Sequence, residues 1–101
     1  MNEQRYFHLL ERIGKAFWDL QLAKLRYVWL RHGAHRQYSI NDCLSHLKRE
    51  VSELEKAIAS ADRWEVEKEC ADVANCALMI YDLVNLRSKS RPLSWIDEEA
   101  T

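Results

Sequence analysis

Apolar and polar positions alternate along most of this chain with the three-and-four step of an α-helix, and no stretch shows the strict alternation of a half-buried strand. Three segments carry the pattern. In the first, from about Glu3 to Arg31, Phe7, Leu10, Phe17, Leu20, Leu25 and Val28 form a stripe, and His32–Gly33 supplies a stop. Gly14 lies inside this segment, weakens it by roughly 1 kcal/mol relative to alanine, and is a candidate kink. A loop, "GAHRQYS", follows. In the second segment, from about Asn41 to Ser60, Leu44, Leu47, Val51, Leu54 and Ile58 make the seam. The third, from about Arg63 to Leu86, has the seam Val66, Cys70, Val73, Ala77, Ile80 and Val84.

Local chemistry marks the ends. Ser39 and Asp42 have capping-box spacing ahead of the second helix, and Asp62 with Glu65 repeats it ahead of the third. Pro92 closes the helical region, and "LSWIDEEAT" is expected to be a short tail docked through Trp95. With two glycines and one proline the chain has almost no punctuation, which favours long helices. The short second connection makes helices two and three an antiparallel hairpin. The expected fold is all-α, an antiparallel bundle of three main helices.

Composition narrows the class. At 101 residues the chain is one domain, 1–101, and 48% apolar residues suffice for a packed core. A formal net charge of -1 argues against a nucleic-acid partner held by a basic surface; "RSKSR", Arg87 to Arg91, is the only basic run. No apolar run is long enough to span a membrane, and the amino terminus does not resemble a secretory signal. The cysteines, Cys43, Cys70 and Cys76, are three with no CxxC. They read as small buried hydrophobes of a reduced, cytoplasmic protein.

The acids are the candidate chemistry. Glu50 and Glu53 are three apart on helix two, as are Glu69 and Asp72 on helix three, and each pair flanks an apolar seam. If the seams face each other and the flanks match in hand, four carboxylates converge. Such a group repels itself unless protons or a cation neutralise it. An all-oxygen set suits Mg²⁺, with Mn²⁺ as substitute, and serves phosphate chemistry. The bland alternative is a solvated face on which Lys48, Lys56 and Lys68 pair with the acids for about 0.2–0.5 kcal/mol each. From spacing alone that alternative stands ahead. A di-iron bundle needs Glu-x-x-His pairs, and no Glu here has His three residues later.

"HLKREVSELEKAI" followed by "EKECADVANCALMIYDLV" resembles the MazG-type nucleoside triphosphate pyrophosphohydrolases, of the all-α NTP pyrophosphatase superfamily. The family pattern is EExxE, a linker of a dozen or more residues, then EExxD. Here the halves read "REVSE" (Arg49 to Glu53) and "KECAD" (Lys68 to Asp72), within a motif core of 44–84. Arg49 and Lys68 replace the first acid of each doublet. The resemblance implies Glu50, Glu53, Glu69 and Asp72 as metal ligands and catalytic residues, with Asn75 matching the asparagine that follows the second motif. It also implies Mg²⁺-dependent hydrolysis of a nucleoside triphosphate to monophosphate and pyrophosphate, often in nucleotide-pool house-cleaning. A homodimer, or a dimer of dimers, would complete each site and cover Phe7, Phe17, Trp18 and Trp29. Longer family members grip phosphate with an "NxKFxxR"-like segment that is absent here; Lys89 and Arg91 occupy that region. Trp64 either packs at the helix start or stacks on a base. Among the other residues, His46 stands one turn before Glu50, His32 and His35 form a weak HxxH, and Arg49 replaces an acid beside the site. The competing readings are a non-catalytic helical interaction module and a degenerate MazG-like protein that binds nucleotide without turnover.

Overall fold

A computed structural model describes residues 1–87, the Arg87 side chain excepted; the expectations for Lys89, Arg91, Pro92 and Trp95 lie outside the described residues. The chain is all-α. Helix α1 spans Glu3–His32, a single 3-10 turn spans His35–Gln37, α2 spans Ile40–Ser60 and α3 spans Arg63–Arg87. Helix α3 is the central element, packed against α2, α1 and the 3-10 turn.

The helix ends follow local hydrogen-bond chemistry. The Asn2 side chain accepts from Arg5 N–H at 2.9 Å and starts α1. Gly33 stops it at φ 74°, a left-handed conformation that costs glycine nothing, with its N–H on Trp29 O at 3.0 Å. The Ser39–Asp42 capping box forms in full, both bonds at 3.0 Å. Only half of the second box is made. Glu65 N–H donates to Asp62 Oδ1 at 3.2 Å, while the Glu65 carboxylate holds Lys68 Nζ at 2.7 Å. Gly14 introduces no break: α1 runs through it, and a Cβ there would meet nothing within 4 Å.

The buried faces differ from the expected seams. On α3 the buried line is Ala71, Asn75, Cys76, Met79 and Leu83, whereas Ala77 and Val84 are exposed. From Val73 onward this helix carries apolar residues on most of its faces and it packs on two sides, so its own pattern does not say which face is innermost. On α2 the row of Cys43, Glu50 and Ala57, with Leu47 and Leu54 beside it, turns inward. Leu44, Val51 and Ile58 are left on an exposed flank. Glu50 therefore occupies the buried row itself and not its margin. The core proper is Cys43, Met79 and Leu83, covered by Leu25, Ile40 and Ile80.

None of the three cysteines forms a disulfide, and Cys43 and Cys76 are buried. No helix among the described residues is long and apolar enough to cross a membrane. Phe7, Trp18 and Trp29 are at least 42% exposed, so the described residues of one copy do not bury them.

Candidate metal centre

Helix α2 contributes Glu50 and α3 contributes Glu69 and Asp72, one turn apart. One oxygen from each lies within 4.8 Å of the others, and all three residues are half-buried. The hairpin explains the convergence. Glu50 shares the inward row of Cys43 and Ala57, and Asp72 continues the α3 line that runs on through Cys76, Met79 and Leu83. The acids are thus held by the same packing that makes the core.

Three carboxylates so placed resist ionisation. Burial first, then a hydrogen bond and charge repulsion from Glu50, and finally the charge of Asp72, push Glu69 up to about 7; Lys24 opposes them. Asp72 is raised as well, by burial and by Glu50, against the Lys24 ammonium. The negative field reaches Cys76, whose thiol burial, Glu50 and Asp72 lift to about 12. Glu69 Oε2 is buried and has no hydrogen-bond partner. A buried carboxylate oxygen without a donor is costly, and a proton or a cation relieves it. The donor set, oxygen only, fits a hard divalent ion such as Mg²⁺ or Mn²⁺.

The three remaining expected site residues among those described, and Arg49 beside them, are placed as follows. Glu53 is not part of the cluster; it stands half-exposed with its carboxylate on Lys56 Nζ at 3.2 Å. Three of the expected four acids therefore converge, because Glu53 lies one turn further along α2 on a face that looks to solvent. At Glu53 the solvated-pair arrangement holds; at the other three it does not. Asn75 is 5% exposed and spent on helix pairing. Its Oδ1 accepts from Gln21 Nε2 at 3.0 Å, and its Nδ2 donates to Gln21 O at 3.1 Å. Trp64 is 55% exposed and carries the Lys68 ammonium 5.8 Å from its ring centroid. Arg49 lines a cavity together with His46 and Asp42 and forms no salt bridge among the described residues.

Helix α1 supplies what the motif does not name. Lys24 Nζ sits 3.4 Å from Asp72 Oδ1. His46 Nε2 lies 3.0 Å from Glu50 Oε1, orienting that carboxylate. Below them, His35 and Arg36 of the 3-10 turn both hold Asp82, Arg36 through two bonds of 2.9 Å, tying the α1–α2 connection to α3. The sequence carries one signal for α1: Gln21, Lys24, Leu25 and Val28 follow the three-and-four spacing of a single face.

Compared with protein-family models, with curated proteins and with solved structures, the chain matches none.

Proposed function

We propose that this protein is a Mg²⁺-dependent nucleotide pyrophosphohydrolase, converting a nucleoside triphosphate to its monophosphate and pyrophosphate. The observation that carries this reading is the Glu50–Glu69–Asp72 cluster with its buried, unpartnered Glu69 oxygen. The resemblance of "REVSE" and "KECAD" to the MazG-type motifs supplies the reaction class. Glu50, Glu69 and Asp72 would hold the ion, with Glu53 reaching the site only by leaving Lys56. A hard divalent ion in such a site supplies charge neutralisation at the phosphates and an acidified water. In the reaction, water oxygen bonds to the α-phosphorus and the bond from that phosphorus to the α,β-bridging oxygen breaks. Pyrophosphate departs, and the water proton passes to a carboxylate or to solvent. His46 fixes the Glu50 carboxylate, and the Gln21–Asn75 pair holds α3 against α1 so that the acids stay in register.

The reading includes self-association in the cytoplasm. Leu44, Val51 and Ile58 recur every seven residues along α2, and with the exposed aromatics of α1 they form apolar surface suited to a second copy. That flank equally favours the second reading, a helical interaction module without turnover. One assay separates them: each NTP and dNTP is incubated with protein and Mg²⁺, and monophosphate and pyrophosphate are quantified. Turnover lost in Glu69→Gln and Asp72→Asn supports the enzyme. No turnover with any nucleotide leaves the interaction module, and orthophosphate release would mean that the bond is misassigned.

A further inference from the structure

A cavity of about 470 Å³ lies between the carboxyl end of α1, the 3-10 turn, α2 and Met79 of α3, and His46 on its wall is bonded to Glu50 of the acidic cluster. Its volume falls within the roughly 300–1,000 Å³ of small-molecule sites. Val28, Cys43 and Met79 give it apolar walls, His35, His46 and Arg49 give it polar ones, and Asp42, its carboxylate taken up by Ser39 N–H, lines it as well. The polar groups are not equivalent. His35 is held by Asp82 and His46 by Glu50. Lys24, Arg36, Lys56, Arg63 and Lys68 all pair with carboxylates. Among the described residues Arg49, like Arg26 and Lys48, forms no salt bridge, and of these three it is the one that lines the cavity.

An unpaired guanidinium at the edge of a part-apolar cavity matches a ligand with an anionic end and an uncharged body. The motif resemblance implies an acid at position 49; arginine there reverses the charge facing the cavity. We infer that Arg49 and this cavity form a nucleotide subsite, in which the walls take the base and sugar and Arg49 takes a phosphate oxygen. The ligand class rests on the hydrolase reading, but binding here requires neither metal nor turnover. His46, lining the cavity and bonded to Glu50, joins this subsite to the cluster.

The test is calorimetric titration in EDTA with the four common nucleoside monophosphates, their nucleosides and inorganic phosphate. At least one monophosphate should bind more tightly than both its nucleoside and inorganic phosphate. Arg49→Met should weaken that binding by about tenfold or more, the loss expected for a charge-assisted bond, and Arg49→Lys should restore part of it. Val28→Trp, checked for intact helicity, fills the cavity and should weaken monophosphate and nucleoside alike. Wild-type affinity in Arg49→Met, equal affinity for inorganic phosphate and monophosphate, or no monophosphate binding at all would each overturn the subsite. Turnover with unchanged binding in Arg49→Met removes this inference and leaves the hydrolase standing. Arg49-dependent binding by a wild-type protein that turns over no nucleotide does the reverse.

Discussion

Replacing Glu69 by glutamine should stabilise the metal-free protein, by an amount that grows as pH rises from 4.5 to about 7 and is full above neutral pH. The carboxyl rises from the ordinary 4.5 to about 7 on folding. At about 1.4 kcal/mol per pH unit this corresponds to about 3 kcal/mol of disfavoured ionisation. Water still reaches part of the group, and that screening reduces the usable figure to about 1–2 kcal/mol. The sign follows from proton counting. Between pH 4.5 and 7 the folded state holds a proton that the unfolded state has lost, so stability falls as pH rises through that window and stays lower above it. Glutamine keeps the shape and removes the titration. Calorimetric melting in EDTA should therefore show Glu69→Gln and wild type alike near pH 4. By pH 8 the variant should melt higher by roughly 5–15 °C, at about 4–8 °C per kcal/mol for a domain near this size. Taking the difference between the two proteins cancels Asp82 and Asp42, whose lowered pKa values act in the opposite sense. Mg²⁺ should raise the wild-type melting temperature at pH 8 and leave the variant nearly unmoved. Melting curves that run parallel from pH 4 to 8 would refute the clustered-carboxylate electrostatics.

Four further outcomes are expected. Glu53→Gln should lower Mn²⁺ affinity, read by electron paramagnetic resonance, far less than Glu50→Gln, since Glu53 stands outside the cluster on Lys56. Asn75→Ala should cost about 1–3 kcal/mol in urea unfolding, because it strands the Gln21 groups it satisfies. Gly14→Ala should gain about 0.5–1 kcal/mol in the same experiment, the site being helical with open space for a Cβ. Asp82→Asn should lower the melting temperature at pH 7. That deficit should vanish as pH falls below the ordinary 3.8, because Arg36 and then His35 hold the folded carboxyl below that value.

Helix ends were legible in the sequence because the forces that set them are local. The expected segments meet α1, α2 and α3 within one residue at each end, guided by the Ser39–Asp42 box, Gly33 and Asp62. Rotation about the helix axes was not, since it depends on what else packs there. In α2 two apolar rows lie side by side, and the richer one, Leu44, Val51 and Ile58, faces outward while Cys43, Glu50 and Ala57 face in. That rotation decides the site, drawing Glu50 to Glu69 and Asp72 and sending Glu53 to solvent. Lys24 and Gln21 lay out of reach for another reason. They sit more than forty residues before their partners, and nothing in a lone lysine names the carboxylate it will meet.

If the cluster holds an ion as proposed, the Lys24–Asp72 contact also bears on its uptake. An ammonium 3.4 Å from a ligand oxygen is a tethered monovalent cation already in attendance on the cluster. Any free ion that Asp72 accepts arrives by exchange, and its apparent affinity is net of parting lysine from aspartate. Such an exchange discriminates by charge density: Na⁺ or K⁺ gains little by replacing one positive charge with another, whereas Mg²⁺ brings two. On the proposed metal-binding reading Lys24 would thereby set a threshold, carried by α1, that an ion entering between α2 and α3 has to exceed.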